Sequence, residues 1–296
     1  MKIESMKELI QQCEEEGKTI SEVMLDMEVE NSGKTHEALI DKMTARLQQM
    51  KDTIDLGIQD PSSSPSGISG GDALRVNEYV KKESILSGNY IGDAMSFSIA
   101  TSESNAKMGI IVATPTAGAA GVLPGVLFSL HKNDNTPFEK LVEGLFTASA
   151  LGYVIANRSF ISGAAGGCQA EVGSATAMAA GAIVELKGGS PEQAVHAAAI
   201  ALKSLLGLVC DPVAGLVEVP CIKRNVMGTA IAFSAADLSL AGVKSRIPCD
   251  EVIKAMYDIG SEMPRTLKET ALGGLAATET GQQVKERMFK KKGGFE

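Results

Sequence analysis

Between residues 39 and 54 the apolar side chains Leu39, Met43, Leu47, Met50 and Ile54 recur every three or four positions, with Glu, Lys and Arg around them. That spacing draws one apolar stripe along a helix. Shorter helices are predicted over Ser5 to Glu16 and Ser21 to Met27, so residues 1–60 read as an N-terminal helical arm. The run from Asp60 to Gly71, DPSSSPSGISGG, breaks the pattern, because Pro, Ser and Gly favour neither helix nor strand. It predicts a linker or loop over 61–71, ahead of a helical body spanning 72–296.

Within the body, residues 72–82 and 90–106 have helical patterns. The segment GIIVATPTAGAAGVLPG (109–125) does not. It predicts a short extended piece at Ile110 to Val112, a Thr-Pro-Thr turn and glycine-rich backbone able to approach a small ligand or to form a buried turn. Thr136-Pro137-Phe138-Glu139 and Ser190-Pro191-Glu192-Gln193 each offer an N-cap hydroxyl, a proline at N1 and an acid or amide at N3. These signals start helices near 137–156 and 191–206. Ile247-Pro248 opens another, with Val252, Ile253, Met256 and Ile259 on one face and Gly260 past its end. Residues 168–186 and 221–241 are long, Ala-rich and helical in composition. Alternating strand patterns are almost absent, so the fold class is mainly α: a compact helical domain of small-residue-rich helices with glycine-rich site loops and an N-terminal helical arm.

Composition supports that picture and narrows the function. The chain is 44% hydrophobic but only 4% aromatic, without Trp, so small side chains and 13 Met must fill the core. A net charge of −8 argues against nucleic acid as a partner. The basic run from Lys285 to Lys292 reads as a solvated tail. Met108 to Leu130 carries no charge, yet Pro115, Pro124 and its glycines argue against a membrane span. Lys2, Glu4, Lys7 and Glu8 interrupt any apolar leader, which predicts a cytoplasmic protein. There, thiols are more often structural, catalytic or metal-bound than disulfide-bonded.

Three of the five cysteines sit beside glycine or proline at element boundaries. Cys168 follows Gly166-Gly167 and opens a helix, Cys221 follows Pro220 and opens another, and Cys210 precedes Asp211-Pro212 in the connection after the 191–206 helix. A thiol at a helix N-terminus faces the positive end of the dipole, which favours the thiolate that binds metal. No zinc-finger spacing and no ferredoxin-type C-x₂-C run is present. Pattern alone therefore leaves a metal site and simple packing of buried thiols both open. Cys13 and Cys249 stand apart and read as packing or surface thiols.

Four stretches carry a resemblance: TPTAGAAGVLPGVL (114–127), SGAAGGCQAEVGSA (162–175), GLVCDPVAGLVEVPCIKRN (207–225) and GGLAATETG (273–281). Together they resemble the α chain of the oxygen-sensitive bacterial L-serine dehydratases, over essentially the whole sequence. The resemblance implies a 4Fe-4S cluster on Cys168, Cys210 and Cys221 with one iron open. It also implies Lewis-acid elimination of water from L-serine, giving pyruvate and ammonia. A β region is absent here, so the resemblance is to the two-chain form, with a separate β subunit as partner. Fused relatives end in a cysteine that caps the open iron. None follows Cys249 here, so a fourth ligand does not carry over.

On the helix opened by Cys221, Arg224 and Asn225 lie three and four residues on and share its face. They are candidates to bind the substrate carboxylate, with Thr114 and Thr116 as second candidates from the family motif and their loop setting. No general base emerges from the sequence; it is open to the partner chain. Two rival functions remain open as well. One is a metal-free, thiol-containing helical scaffold; the other is a pyridoxal-phosphate dehydratase, for which no glycine-rich cradle joins a convincing lysine.

Overall fold

The computed structural model describes residues 2–82 and 84–292. Its first helices are α1 (Met6–Glu16), α2 (Ile20–Ser32) and α3 (His36–Gly57). Each starts on a hydroxyl cap, from Ser5, Thr19 and Thr35 respectively. In α3 the predicted stripe faces inward, with Leu39, Leu47, Met50 and Ile54 buried and Met43 packed at its edge. The Pro/Ser/Gly stretch follows as a loop. Next come α4 (Asp72–Lys82) and α5 (Gly88–Ala106). Buried Glu103 of α5 accepts from the backbone N–H of Gly71 at 3.1 Å and Asp72 at 2.9 Å, capping α4 from outside.

Further along are α6 (Val122–Asp134), α7 (Phe138–Arg158), the single turn α8 (Gly163–Gly166), α9 (Cys168–Leu186) and α10 (Pro191–Lys203). Then follow α11 (Cys221–Leu240), α12 (Cys249–Glu262) and α13 (Glu279–Lys292). The fold is mainly α. Among the described residues the one β-type pairing is an isolated bridge between Cys210 and Lys268.

Helix α9 is the axis, buried without interruption from Cys168 to Val184. Its Ala, Gly, Ser and Thr side chains let α6, α7, α10 and α11 lie close against it. A Cβ at Gly181 would stand 2.2 Å from Leu151 Cδ1, and one at Gly228 of α11 would stand 2.7 Å from Thr176 Oγ1. Close-packed interiors tolerate no such insertion without displacement. A single apolar core joins Leu9, Met27 and Leu47 of the first three helices to Leu127, Leu151, Ile183 and Ile253. Among the described residues, no helix is long and apolar enough to cross a membrane.

Several local expectations are corrected. The 109–125 segment turns helical before its end, because α6 starts at Val122 and carries Pro124 in its first turn, where no backbone N–H is needed. Thr136 does not cap α7; its hydroxyl donates to Leu130 O at 3.4 Å, and Pro137 precedes the first helical residue. Ser190 does form the predicted capping box with Gln193. Gly260 lies inside α12, which runs on until Met263 and Pro264 turn the chain. The basic run from Lys285 closes α13, and residues 293–296 lie outside the described residues.

Candidate functional site

The three boundary cysteines come from three separate segments. Cys168 is the first residue of α9 and Cys221 the first of α11. Gly167, just before Cys168, has φ +81°, and a Cβ there would stand 2.6 Å from Met263 Sδ and 3.0 Å from Leu208 O. Only glycine suits that turn. Cys210 lies in an extended segment, its N–H donating to Leu267 O at 2.9 Å and its carbonyl accepting from Glu269 N at 2.7 Å. All three side chains are buried and free of disulfides. They lie within electrostatic reach of one another, Cys168 acting on both Cys210 and Cys221, and Cys221 on Cys210.

Among the described residues, no group of three His, Cys, Asp or Glu side chains is arranged to hold a metal ion. Three soft donors from separate segments instead suit a larger group. Iron–sulfur clusters take cysteine thiolates, each on a different iron, so those ligands stand farther apart than the ligands of one ion. The donor set therefore fits such a cluster.

The helix-start argument for thiolates is outweighed by burial. Desolvation pushes Cys168 up to about 11 and Cys221 up to about 12, and Cys210 is raised still further. The thiols are neutral at physiological pH without a metal, so metal uptake would release protons. Cys13, pushed up to about 12 by its burial, and Cys249, fully enclosed, pack as apolar groups in the core.

Around the thiols the polar side chains are committed to one another. Arg224 donates to Val209 O at 2.7 Å and pairs with Asp211 at 2.9 Å, close enough for its charge to act on Cys168. Asp211 in turn accepts from Leu275 N at 2.7 Å, drawing in the 273–277 turn. Asn225 accepts from Gly121 N at 3.0 Å and donates to Gly118 O at 2.7 Å and Cys221 O at 2.9 Å. Thr116 donates to Glu171, whereas the Thr114 hydroxyl is buried without a hydrogen bond. Lys223 turns away and pairs with Asp72.

Glu171 and Asp211 escaped the sequence reading. Glu171 lies three residues after Cys168 on α9, and the same-face rule that singled out Arg224 from Cys221 would have found it. Burial raises its carboxyl above the usual range; the Thr116 hydrogen bond works against that, and nearby Glu269 adds to it. Another buried carboxylate, Glu218, accepts from Ser64 at 2.7 Å, from Ser66 at 3.0 Å and from Ser69. Three serines of the 61–71 loop are thus fastened three residues before Cys221.

Because the Asn225 amide satisfies both a buried N–H and a carbonyl of the 117–121 turn, Asn225→Ala should lose about 2–4 kcal/mol of unfolding free energy. Urea denaturation of the α chain checks this. Unchanged stability would mean that the amide is free for another role.

Residues 15–276 match the family described as serine dehydratase alpha chain. The chain is 53% identical over 285 residues to the probable L-serine dehydratase, alpha chain, of Bacillus subtilis (strain 168), covering 96% of this chain and 95% of the relative. It is 42% identical over 288 residues to the L-serine dehydratase, alpha chain, of Peptoniphilus asaccharolyticus, covering 97% and 99%. Against L-serine dehydratase TdcG of Escherichia coli (strain K12), 36% identity extends over 92% of this chain but 61% of the longer relative. With most of its length matched, and with close relatives covered almost end to end, the chain belongs to the serine dehydratase alpha chain family.

Proposed function

We propose that this chain is the α subunit of an L-serine dehydratase that works with a separate β chain and carries a 4Fe-4S cluster on Cys168, Cys210 and Cys221. The observation that carries the proposal is three buried, unpaired thiols from three segments within electrostatic reach of one another, in a chain of this family. When bound, the cluster would supply a Lewis acid for loss of the β-hydroxyl of serine. The net reaction removes water and leaves aminoacrylate, which hydrolyses to pyruvate and ammonium.

The chain's own groups prepare that site. Gly163 lets backbone approach the Cys210 thiol closely, and Gly167 turns the chain into Cys168. Arg224, held by Asp211 and Val209 O, brings a positive charge to Cys168 and Cys221 and so favours their thiolates against burial. The histidines are engaged elsewhere: His36 with Asp26, His131 with Thr136 O, and His196 near Glu192. A histidine to take the α-proton would therefore come from the β chain.

The test is to purify the α chain without oxygen, reconstitute it with iron and sulfide, add the β chain and assay pyruvate from L-serine. Bound iron and sulfide, with turnover lost on exposure to air, are expected. Pyruvate formation by an iron-free complex would overturn the cluster assignment, and a pyridoxal absorbance band would favour the rival cofactor.

A further inference from the structure

Among the described residues, the buried carboxylate of Glu171 has no ion-pair partner. It sits on α9 one turn after Cys168, 8% exposed, and accepts a hydrogen bond from Thr116. Among the described residues no lysine or arginine pairs with it, and Arg224 is taken by Asp211 and Val209 O. Burial disfavours the ionised form of such a carboxyl unless an opposite charge reaches it.

Two glycines bring backbone right up to this carboxylate. A Cβ at Gly118 would stand 2.7 Å from Glu171 Oε1. A Cβ at Gly163 would stand 2.5 Å from Cys210 Sγ and 3.3 Å from Glu171 Oε2. The carboxylate and the Cys210 sulfur thus face the same small space. Two residues before Thr116, the Thr114 hydroxyl is buried and unpartnered.

We infer that Glu171, oriented by Thr116, binds the ammonium group of the amino-acid substrate. The inference rests on the proposed serine dehydratase activity and adds the source of selectivity for an α-amino acid over a plain hydroxy acid. Serine offers one positive charge, its ammonium, and Glu171 is the cation-free carboxylate that meets the Cys210 sulfur at Gly163. A charge-assisted hydrogen bond there would fix the substrate's orientation relative to the thiols. Removing a group that hydrogen-bonds one substrate handle costs affinity for molecules bearing that handle and spares those lacking it.

The experiment uses the reconstituted α/β enzyme and compares L-serine with 3-hydroxypropionate, which keeps the carboxylate and β-hydroxyl but has no ammonium. In Glu171→Gln the KM for L-serine should rise about tenfold or more, while inhibition by 3-hydroxypropionate and the iron content stay within about twofold of wild type. The milder Thr116→Val, which leaves the carboxylate but removes its orienting donor, should shift the serine KM alone by a few-fold. It decides the matter should Glu171→Gln fail to fold or to hold iron. Parallel weakening of serine and 3-hydroxypropionate, or loss of kcat with KM unchanged, would overturn the inference. A wild-type complex that forms no pyruvate would instead overturn the function on which it rests.

Discussion

Replacing Cys210 by serine is expected to leave the helices intact while iron and sulfide are lost and pyruvate formation falls more than about a hundredfold. Changes in groups around a metal's ligands typically cost 10–100-fold, so loss of a ligand should exceed that range. A hydroxyl is a harder and far less acidic donor than a thiol and does not replace it on iron. The fold should survive because Cys210 is anchored through its backbone, by the bonds to Leu267 O and Glu269 N, and those do not involve the sulfur. Cys249→Ala supplies the contrast. Cys249 is equally buried, opens a helix and stands among core residues, so it should cost some stability but no iron. Circular dichroism, iron and sulfide analysis and the pyruvate assay read the two variants together. A Cys210→Ser protein with full iron content would remove this residue from the ligand set.

The contrast between Cys210 and Cys249 also marks what the sequence could reveal. Both precede an aspartate, and both lie near a proline. Only the order of motifs shared with the family separated them, because the thiols that converge are distant along the chain. Helices were legible wherever a local rule applied: the Leu39–Ile54 stripe, the Ser190 capping box, and the starts at Cys168 and Cys221. The end of the 109–125 segment is hard to read from sequence because Gly and Pro usually break helices, while the first turn of α6 accepts Pro124 without loss.

The polar ring was harder to read for a physical reason. Arg224 and Asn225 were found by helical spacing, but spacing does not say what a side chain touches. Asp211 and Val209, which hold Arg224, come from the extended segment of Cys210; Gly118 and Gly121, which hold Asn225, come from the turn before α6. Glu171 had the same helical signal as Arg224. A glutamate in an apolar, Ala-rich helix reads at first as a surface group, and only the packing of the 114–118 turn over it reveals its burial.

Gly163, packed against both Cys210 and Glu171, is a sensitive position that carries no chemistry of its own. Gly163→Ala is expected to lower iron content and pyruvate formation by about 10–100-fold, although every cysteine is still present. The added methyl would begin 2.5 Å from Cys210 Sγ and 3.2 Å from Cys210 Cβ, well inside van der Waals contact. Something must move. The backbone of Cys210 is fixed at both ends by Leu267 and Glu269, so the displacement falls on the sulfur or on the α8 turn. Either shift disturbs the relation of Cys210 to Cys168, which begins the next helix. Overpacking of this kind also costs about 1–3 kcal/mol of stability, readable as a lower urea midpoint. Ala164→Ser, on the exposed side of the same turn, should change neither iron nor turnover. If Gly163→Ala keeps wild-type iron and activity, the sulfur of Cys210 is free to move, and the close approach at Gly163 serves packing alone. If it loses iron while keeping its helices, the position of one sulfur, and not merely its presence, decides whether the site assembles.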